Sequence, residues 1–473
     1  MTTFRAAAVV AVISFLPAVS VRTAHAQTAT PPPPVAPSAS PPAAPNAQPP
    51  APSNPPTGTA PGQSTALPNA PPAPPGQAPA TDTSMVISSQ TAAPQARGGG
   101  LEMEQFAAQT SDESRVLGAK ARYSLNVFGD VGGGIVGGTR YSTTPSFGIN
   151  NFSMLFTGNL ENSLKFVAEA SVEPDENNAI GIDLERLQLQ YKAPIGIFIQ
   201  AGRTHTPLGY WNDAYHHGSW LQPTITRPRA VRFEDSGGLL PIHWIGVALG
   251  WDARLGGFTS LMTSAAIGNG RGYQEDDLQL KYDVNAPKQG YAQIELKGVG
   301  LRDLRMGLSG VYGYISADPR RTDPEPLFEY IAAAHIAYPS TPVILIAEGY
   351  AISHAGQNRT WNTYDGFVLI GYTFAPITPY IQGEREVMLH GTGGPGPNYD
   401  PFYVIDPANP LVVDGHTTPT LTNMTGFDVA EGIAGFRWDV STWCAIKAEY
   451  RLQRFLDQQM TTHVGYAAWQ FGL

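Results

Sequence analysis

The residues most able to do chemistry cluster between Thr206 and Pro241. His216, His217, Arg227, Arg229 and Arg232 stand there against Asp213, Glu234 and Asp235, and Arg203 and His205 lead into them. Imidazole and carboxylate are ordinary metal ligands. Adjacent histidines in an extended chain point apart, however, and neither an i, i+4 helical pair nor a cysteine accompanies His216 and His217, so the pattern reads as holding no metal. The run Gly268-Asn269-Gly270-Arg271-Gly272 lacks the Lys-Ser/Thr ending of a phosphate-cradling loop and reads as a turn. No Gly-x-Ser-x-Gly elbow occurs, and the one cysteine, Cys444, falls in a row expected to face lipid. Nothing here assembles a nucleophile, a base and an orienting group, so the chain is read as no enzyme and as needing no cofactor. What the basic stretch can do is bias the passage of ions through a narrow opening. The plainer alternative is that its charges fold a surface loop by salt bridges.

The elements that would hold this stretch are strands. From about Ala121 to the end, apolar and polar residues alternate. Phe166, Ala168, Ala170 and Val172 interleave with Lys165, Val167, Glu169, Ser171 and Glu173, and Ile446, Ala448, Tyr450 and Leu452 interleave with Lys447, Glu449, Arg451 and Gln453. A period of two puts one face on lipid and the other on water. Sixteen such segments are expected: 121–131, 149–158, 163–173, 184–193, 195–205, 242–252, 257–268, 288–298, 303–315, 327–338, 343–353, 365–375, 378–389, 426–438, 442–453 and 462–473. Short connections, among them Asn159–Asn162, Pro194 and Pro376-Ile377, alternate with long ones at Gly132–Gly148, Thr206–Pro241, Asn269–Pro287 and His390–Thr425. Outer-membrane barrels have that parity, with short periplasmic turns and long outside loops. Trp251, Tyr338, Phe374, Trp438 and Trp443 flank the short turns, where an interfacial girdle belongs.

Composition agrees. The chain has 50 glycines, 20 tyrosines, 19 phenylalanines and 8 tryptophans with only 14% charged residues. No uninterrupted apolar stretch after the amino terminus is long enough for a helical span, and a closed barrel is the other way to satisfy every backbone group in lipid. At the amino terminus, Arg5, the apolar run Ala6–Val19 and Ala24-His25-Ala26 form the three parts of a secretory signal, with Gln27 expected as the first mature residue. Removing that segment takes the formal charge from -10 to -12, and no basic block tracks a phosphate backbone, so nucleic acid is not an expected partner. From Gln27 to Gly100 there is no aromatic residue, and about half of the 43 prolines fall there. That composition makes a disordered periplasmic linker, with contact to peptidoglycan as the sharper reading. Leu101–Lys120 is a short lead-in to the barrel, with weak amphipathic-helix character in its Leu101–Gly118 part.

Ala201-Gly202-Arg203-Thr204-His205-Thr206-Pro207-Leu208-Gly209 closes the fifth segment. It resembles the Gly-Arg-x-x-Thr-Pro pattern of bacterial porins, in which the fifth strand leads into an outside loop that folds back and narrows the lumen. The resemblance, to the sixteen-strand phosphate-selective or porin-2 type, covers roughly Ala121 to Leu473. Leu473 departs from the usual terminal aromatic. The resemblance implies an all-β, membrane-spanning antiparallel barrel in the outer membrane, with lipid around it. It implies passive diffusion of small hydrophilic solutes or ions past Arg203, His205, His216, His217, Arg227, Arg229 and Arg232 at a constriction. Glu169, Glu173, Glu295, Glu384, Glu386 and Glu449 also face the water side, which makes the expected field mixed. Such porins form trimers, but no signature separates a homotrimer face from a lipid-facing one. The rival is a structural or adhesive barrel whose loops or proline-rich tail bind a surface or cell-wall partner. A plug made by Thr206–Pro241 and His390–Thr425 would favour it. Because Gln27–Gly100 has almost no apolar surface to contribute, its deletion is expected to leave barrel assembly intact. Loss of the heat-modifiable species from the membranes of the deletion strain would show the opposite.

Overall fold

The computed structural model describes residues 112–116, 119–138, 145–161, 163–174, 180–215, 219–233, 238–272, 287–318, 324–403, 411–413, 416–418, 428–457 and 459–473. Sixteen antiparallel strands close into one ring. In chain order they are β1 (Ala119–Gly138), β2 (Ser146–Leu160), β3 (Leu164–Pro174), β4 (Ile180–Lys192), β5 (Ile197–His205), β6 (His243–Gly256), β7 (Thr259–Gly268) and β8 (Gln289–Lys297). The second half consists of β9 (Arg305–Ile315), β10 (Leu327–Pro339), β11 (Val343–Ala355), β12 (Arg359–Tyr372), β13 (Ile377–Met388), β14 (Asp428–Ser441), β15 (Cys444–Phe455) and β16 (Met460–Gly472). Each strand pairs with its neighbours in sequence, and β1 pairs with β16 from Phe128↔Gly472 to Gly138↔Thr462, which closes the ring.

Closure removes the free edges that an open sheet would expose to lipid. One stretch is left over, because β16 ends opposite Phe128 and the start of β1 extends beyond it. Asp112–Val116 pairs there with Ala119–Tyr123. This part of the lead-in is therefore a strand, not the helix its amphipathic character suggested. The remaining lead-in residues, the expected signal and the proline-rich segment lie outside the described residues.

All sixteen expected segments coincide with a strand, and the largest shifts in the boundaries fall on β1 and β12. β1 continues to Gly138, because its glycines keep pairing with β2 as far as Gly134↔Ser146, so the first long connection is shorter than expected. β12 begins at Arg359, six residues before the expected 365. The outward rows hold Leu125, Ile199, Leu249, Leu308, Ile381 and Tyr450, all exposed. Trp251, Phe374, Trp438 and Trp443 are exposed beside the short turns. Among the described residues no helix is long and apolar enough to cross a membrane.

The inward face departs from a uniformly polar wall. On β11 and β12 it carries Ile344, Ile346, Ile352, Trp361, Phe367 and Leu369, all buried in a core that also includes the loop residues Trp211, Tyr215, Leu239 and Tyr403. The lumen therefore has an apolar side, and the chain between strands packs on it.

Glycines paired across strands with aromatic rings set local packing. Gly435 is the Cα partner of Tyr380, and a Cβ on Gly435 would overlap that ring. The ring in turn donates its hydroxyl to Glu449, at 2.9 Å. Gly435→Val should displace Tyr380 and cost about 1–3 kcal/mol by overpacking. The expected readout is a lower temperature at which the folded band converts to the unfolded one on a denaturing gel. An unchanged conversion temperature would show that the ring yields freely.

Candidate functional site

The stretch from Thr206 to Ile242 leaves β5, crosses the lumen and returns to β6. Two glycines make its departure feasible. Gly202 has φ +122, and a side chain there would meet the Leu187 carbonyl of β4. Gly209 has φ +74, and a Cβ would overlap the Glu348 carboxylate and the Tyr350 hydroxyl of β11. Glycine tolerates both the dihedral and the approach. The backbone thus comes close enough for the Tyr210 and Trp211 N–H groups to donate to Glu348 at 3.1 and 2.7 Å. These are the unsatisfied donors at the start of the short helix Trp211–Ala214. Asn212 then ties the two ends of the loop together by donating to the carbonyls of Thr206 and Ile242, both at 3.0 Å.

On the far wall the loop is held by opposite charges on alternate residues of β15. The Lys447 ammonium is fully buried and donates to three carbonyls, Ser219 at 2.8 Å, Gln222 at 2.7 Å and Thr224 at 2.9 Å. Two residues on, Glu449 accepts the Ile225 N–H at 3.0 Å. Arg437 of β14 adds hydrogen bonds to the carbonyls of Trp220 and Gln222. One turn therefore presents its carbonyls to cations and an amide to an anion.

The residues expected to narrow the pore can now be placed. Arg203 is buried on β5, donating to the Glu185 carbonyl at 2.9 Å with the Glu185 carboxylate 3.7 Å away. His205 is buried beside Glu169, at 3.9 Å. Arg227 donates to Asn212 at 3.2 Å and to the Val231 carbonyl, and its guanidinium lies 4.5 Å from the centre of the Phe233 ring. Arg229 donates through its backbone N–H to Glu384 at 3.0 Å and through its guanidinium to both oxygens of Glu386, at 3.2 and 3.1 Å. Burial opposes its charge, but adjacent Glu386 outweighs burial and holds the guanidinium above its ordinary range. Arg232 lies 3.9 Å from Glu431 and keeps 26% of its side chain exposed. His216 and His217 lie outside the described residues. Of the carboxylates expected on the water side, Glu169, Glu295, Glu384, Glu386 and Glu449 are all inward and buried, while the side chain of Glu173 lies outside the described residues.

Three parts of the site go beyond the residues expected at the constriction. The first is a bulge: Glu169 pairs with Arg186 and Ala170 with Leu184, leaving Glu185 as an extra residue. A bulge re-aims side chains, and here it turns the consecutive residues Glu185 and Arg186 both inward. Arg186 bonds Glu169 at 2.6 Å, and Glu185 lies 2.9 Å from His243. An acid-base pair side by side in an alternating strand was the available signal. The second is the chain after β13, where Asp400, Phe402 and Tyr403 are buried in the lumen. The His354 ring lies 2.7 Å from Asp400 through Nδ1 and 3.1 Å from Glu329 through Nε2. One ring thus bridges a carboxyl group of the loop and one of the wall. The third is the point where three connections meet, those after β5, β7 and β13. Arg271 and Tyr403 both donate to the Leu239 carbonyl, at 2.7 and 2.6 Å, and burial holds the Tyr403 phenol above its ordinary range, so it remains a donor.

The loops do not fill the whole section. A cavity of about 270 Å³ remains between the loop and β3–β8, lined by Gln188, Gln200, Thr204, Asp213, Trp244 and Gln293 among others. No group of three or more metal-ligating side chains occurs among the described residues.

Lys447→Met should free the turn at Ser219–Thr224 while the ring of strands persists. Each buried carbonyl left without a donor costs about 1–3 kcal/mol. Limited proteolysis should then cut within the loop of the variant and spare the parent, with both retaining heat-modifiable migration. Equal resistance would mean that the other anchors suffice.

No family model matches the chain, and no curated protein does. Solved structures do. OmpT of Vibrio cholerae, expressed in the outer membrane, is 11% identical with a TM-score of 0.48, covering 76% of this chain and 100% of that one. An anion-selective porin from Comamonas acidovorans is 10% identical with a TM-score of 0.46, covering 75% and 100%. OmpF of Salmonella typhi is 14% identical with a TM-score of 0.45, covering 76% and 100%. The solved structures similar to this chain thus include bacterial outer-membrane porins.

Proposed function

We propose that this chain is an outer-membrane, porin-like channel through which small hydrophilic solutes or ions diffuse passively. The observation that supports it is the polar cavity left beside a loop that crosses a closed barrel. Passage would be sieved by width and biased by the fixed charges of the wall, with no covalent step. Arg203, His205, Arg227 and Arg229 act in this reading by holding the loop and the wall in place, because each is buried against partners. Arg232, partly exposed, is the arginine of the three in the loop best placed to meet a passing ion.

A second reading has its own support. Two loops pack against one another in the lumen, through Leu239 and Tyr403, over the apolar faces of β11 and β12. A lumen filled in this way suits a structural or adhesive barrel that holds a surface or cell-wall partner, with any conductance incidental.

Single-channel recording on purified, refolded protein separates the two. Reproducible conductance steps support the channel, and their absence from a correctly folded barrel supports the second reading. In a salt gradient, Arg232→Ala is expected to move the reversal potential towards cations. Arg229→Ala is expected instead to alter the size and noise of the steps by loosening the loop. A reversal potential unmoved by Arg232→Ala would remove that arginine from the path.

A further inference from the structure

We infer that the cavity between the lumen loop and β3–β8 is a binding site for an uncharged, polyhydroxylated solute of about monosaccharide size. The site itself does not depend on conductance; only the route by which a solute would reach it rests on the channel reading.

The first argument is the chemistry of the wall. Gln190 and Gln200 face each other across β4 and β5. Gln190 donates to Gln200 at 3.3 Å, and Gln200 donates onward to Gln188 at 3.4 Å and to Thr204 at 3.1 Å. Two of these contacts are longer than the usual 2.7–3.2 Å range of N–H···O bonds, so a ligand hydroxyl could replace them at small cost. Each primary amide offers two donors and a two-lone-pair acceptor. A row of them suits groups that both donate and accept, which describes a hydroxyl and neither a carboxylate nor an ammonium. Gln293 of β8 adds a further amide to the lining.

The second argument is the state of the charges. Of the cations in the lining, Lys192 lies 2.6 Å from Asp252, Arg186 2.6 Å from Glu169 and Lys297 3.6 Å from Glu295, and Lys165 and the acid Asp213 line it as well. At the first three a charged solute would have to compete with a partner already in place, whereas a neutral one would not.

The third is the apolar part of the lining. Trp244 and Tyr291 lie with ring centroids 5.3 Å apart and planes tilted by 32°. Their polar atoms are engaged elsewhere, the Trp244 indole N–H with the His205 carbonyl at 3.0 Å and the Tyr291 hydroxyl with Gln289 at 2.7 Å. Both rings line the cavity yet keep only 2% and 4% of their surface exposed, so they close one side of it with apolar material and add no competing polar group. At about 270 Å³ the cavity falls just below the roughly 300–1,000 Å³ typical of pockets for drug-sized ligands.

The test uses the full chain, refolded in detergent, with D-glucose as the probe and inorganic phosphate and tetramethylammonium as charged controls. Trp244 fluorescence reports occupancy, and Trp244→Phe identifies its signal among the other tryptophans. Glucose should give a saturable change that neither charged probe reproduces. The double variant Gln190→Ala/Gln200→Ala should weaken it by about tenfold, the equivalent of about 1.4 kcal/mol. Gln293→Leu, on β8, should weaken it independently, and heat-modifiable migration checks that each variant folds. A folded protein without saturable response to glucose overturns the inference, as does phosphate binding as tightly as glucose or more so. Conductance in potassium chloride, measured on the same preparation, tests the channel reading separately.

Discussion

A ring of strands satisfies every backbone group by pairing, but it turns every second side chain into a confined lumen. There an unpaired charge is costly, because the surroundings screen it poorly. In this protein the constraint falls on the inward carboxylates of β11, β13 and β15. Glu348, Glu384 and Glu449 each accept a backbone N–H from the loop between β5 and β6, and Glu386 takes the Arg229 guanidinium. The acids of the wall and the polar atoms of the loop satisfy one another. Either without the other would leave buried groups unpaired, so the interior is a consequence of closing the ring around charged strands.

The strands were legible because alternation of apolar and polar residues is a local signal repeated sixteen times and checked by the parity of turn lengths. The loop was legible too, through the Gly-Arg-x-x-Thr-Pro stretch, and the structure gives the reason for its glycine: Gly202 has a positive φ and no room for a side chain. The partners of the loop were not legible. Lys447 and Ser219 are 228 residues apart and Glu348 and Trp211 are 137 apart, and nothing local marks such a pairing. In the sequence the arginines look free to face a pore, because a basic cluster shows no partners there. Once Glu386 and Asn212 are seen beside Arg229 and Arg227, most of that availability is gone.

Two further features escaped the pattern for definite reasons. A bulge changes the parity of a strand without changing its composition, so the inward turn of both Glu185 and Arg186 is hidden from a period-two reading. The apolar inner faces of β11 and β12 have the opposite effect. Ile344, Ile346, Phe367 and Leu369 lie beside outward Leu345, Val368 and Ile370, so these strands are apolar on both faces and their periodicity says little about which side meets lipid. That pattern belongs to a strand buried on both faces, and here the second burying layer is the loop carrying Trp211 and Tyr215.

The same division organises what the lumen can do. Its β9–β12 side is covered by apolar packing and by the two loops meeting at Leu239. Its β3–β8 side keeps amides, paired ions and a cavity. In the channel reading a solute would pass on the second side, where the cavity lies. Discrimination would then rest less on the arginines that make the loop look electropositive in the sequence than on the wall opposite them. There Lys192, Arg186 and Lys297 already face carboxylates, and the field they leave is that of close ion pairs, which falls off faster with distance than that of single charges. A narrow passage need not favour an ion of either sign when its charges are compensated within a few ångströms. What remains to distinguish one solute from another is then shape and the exchange of hydrogen bonds with the glutamine row.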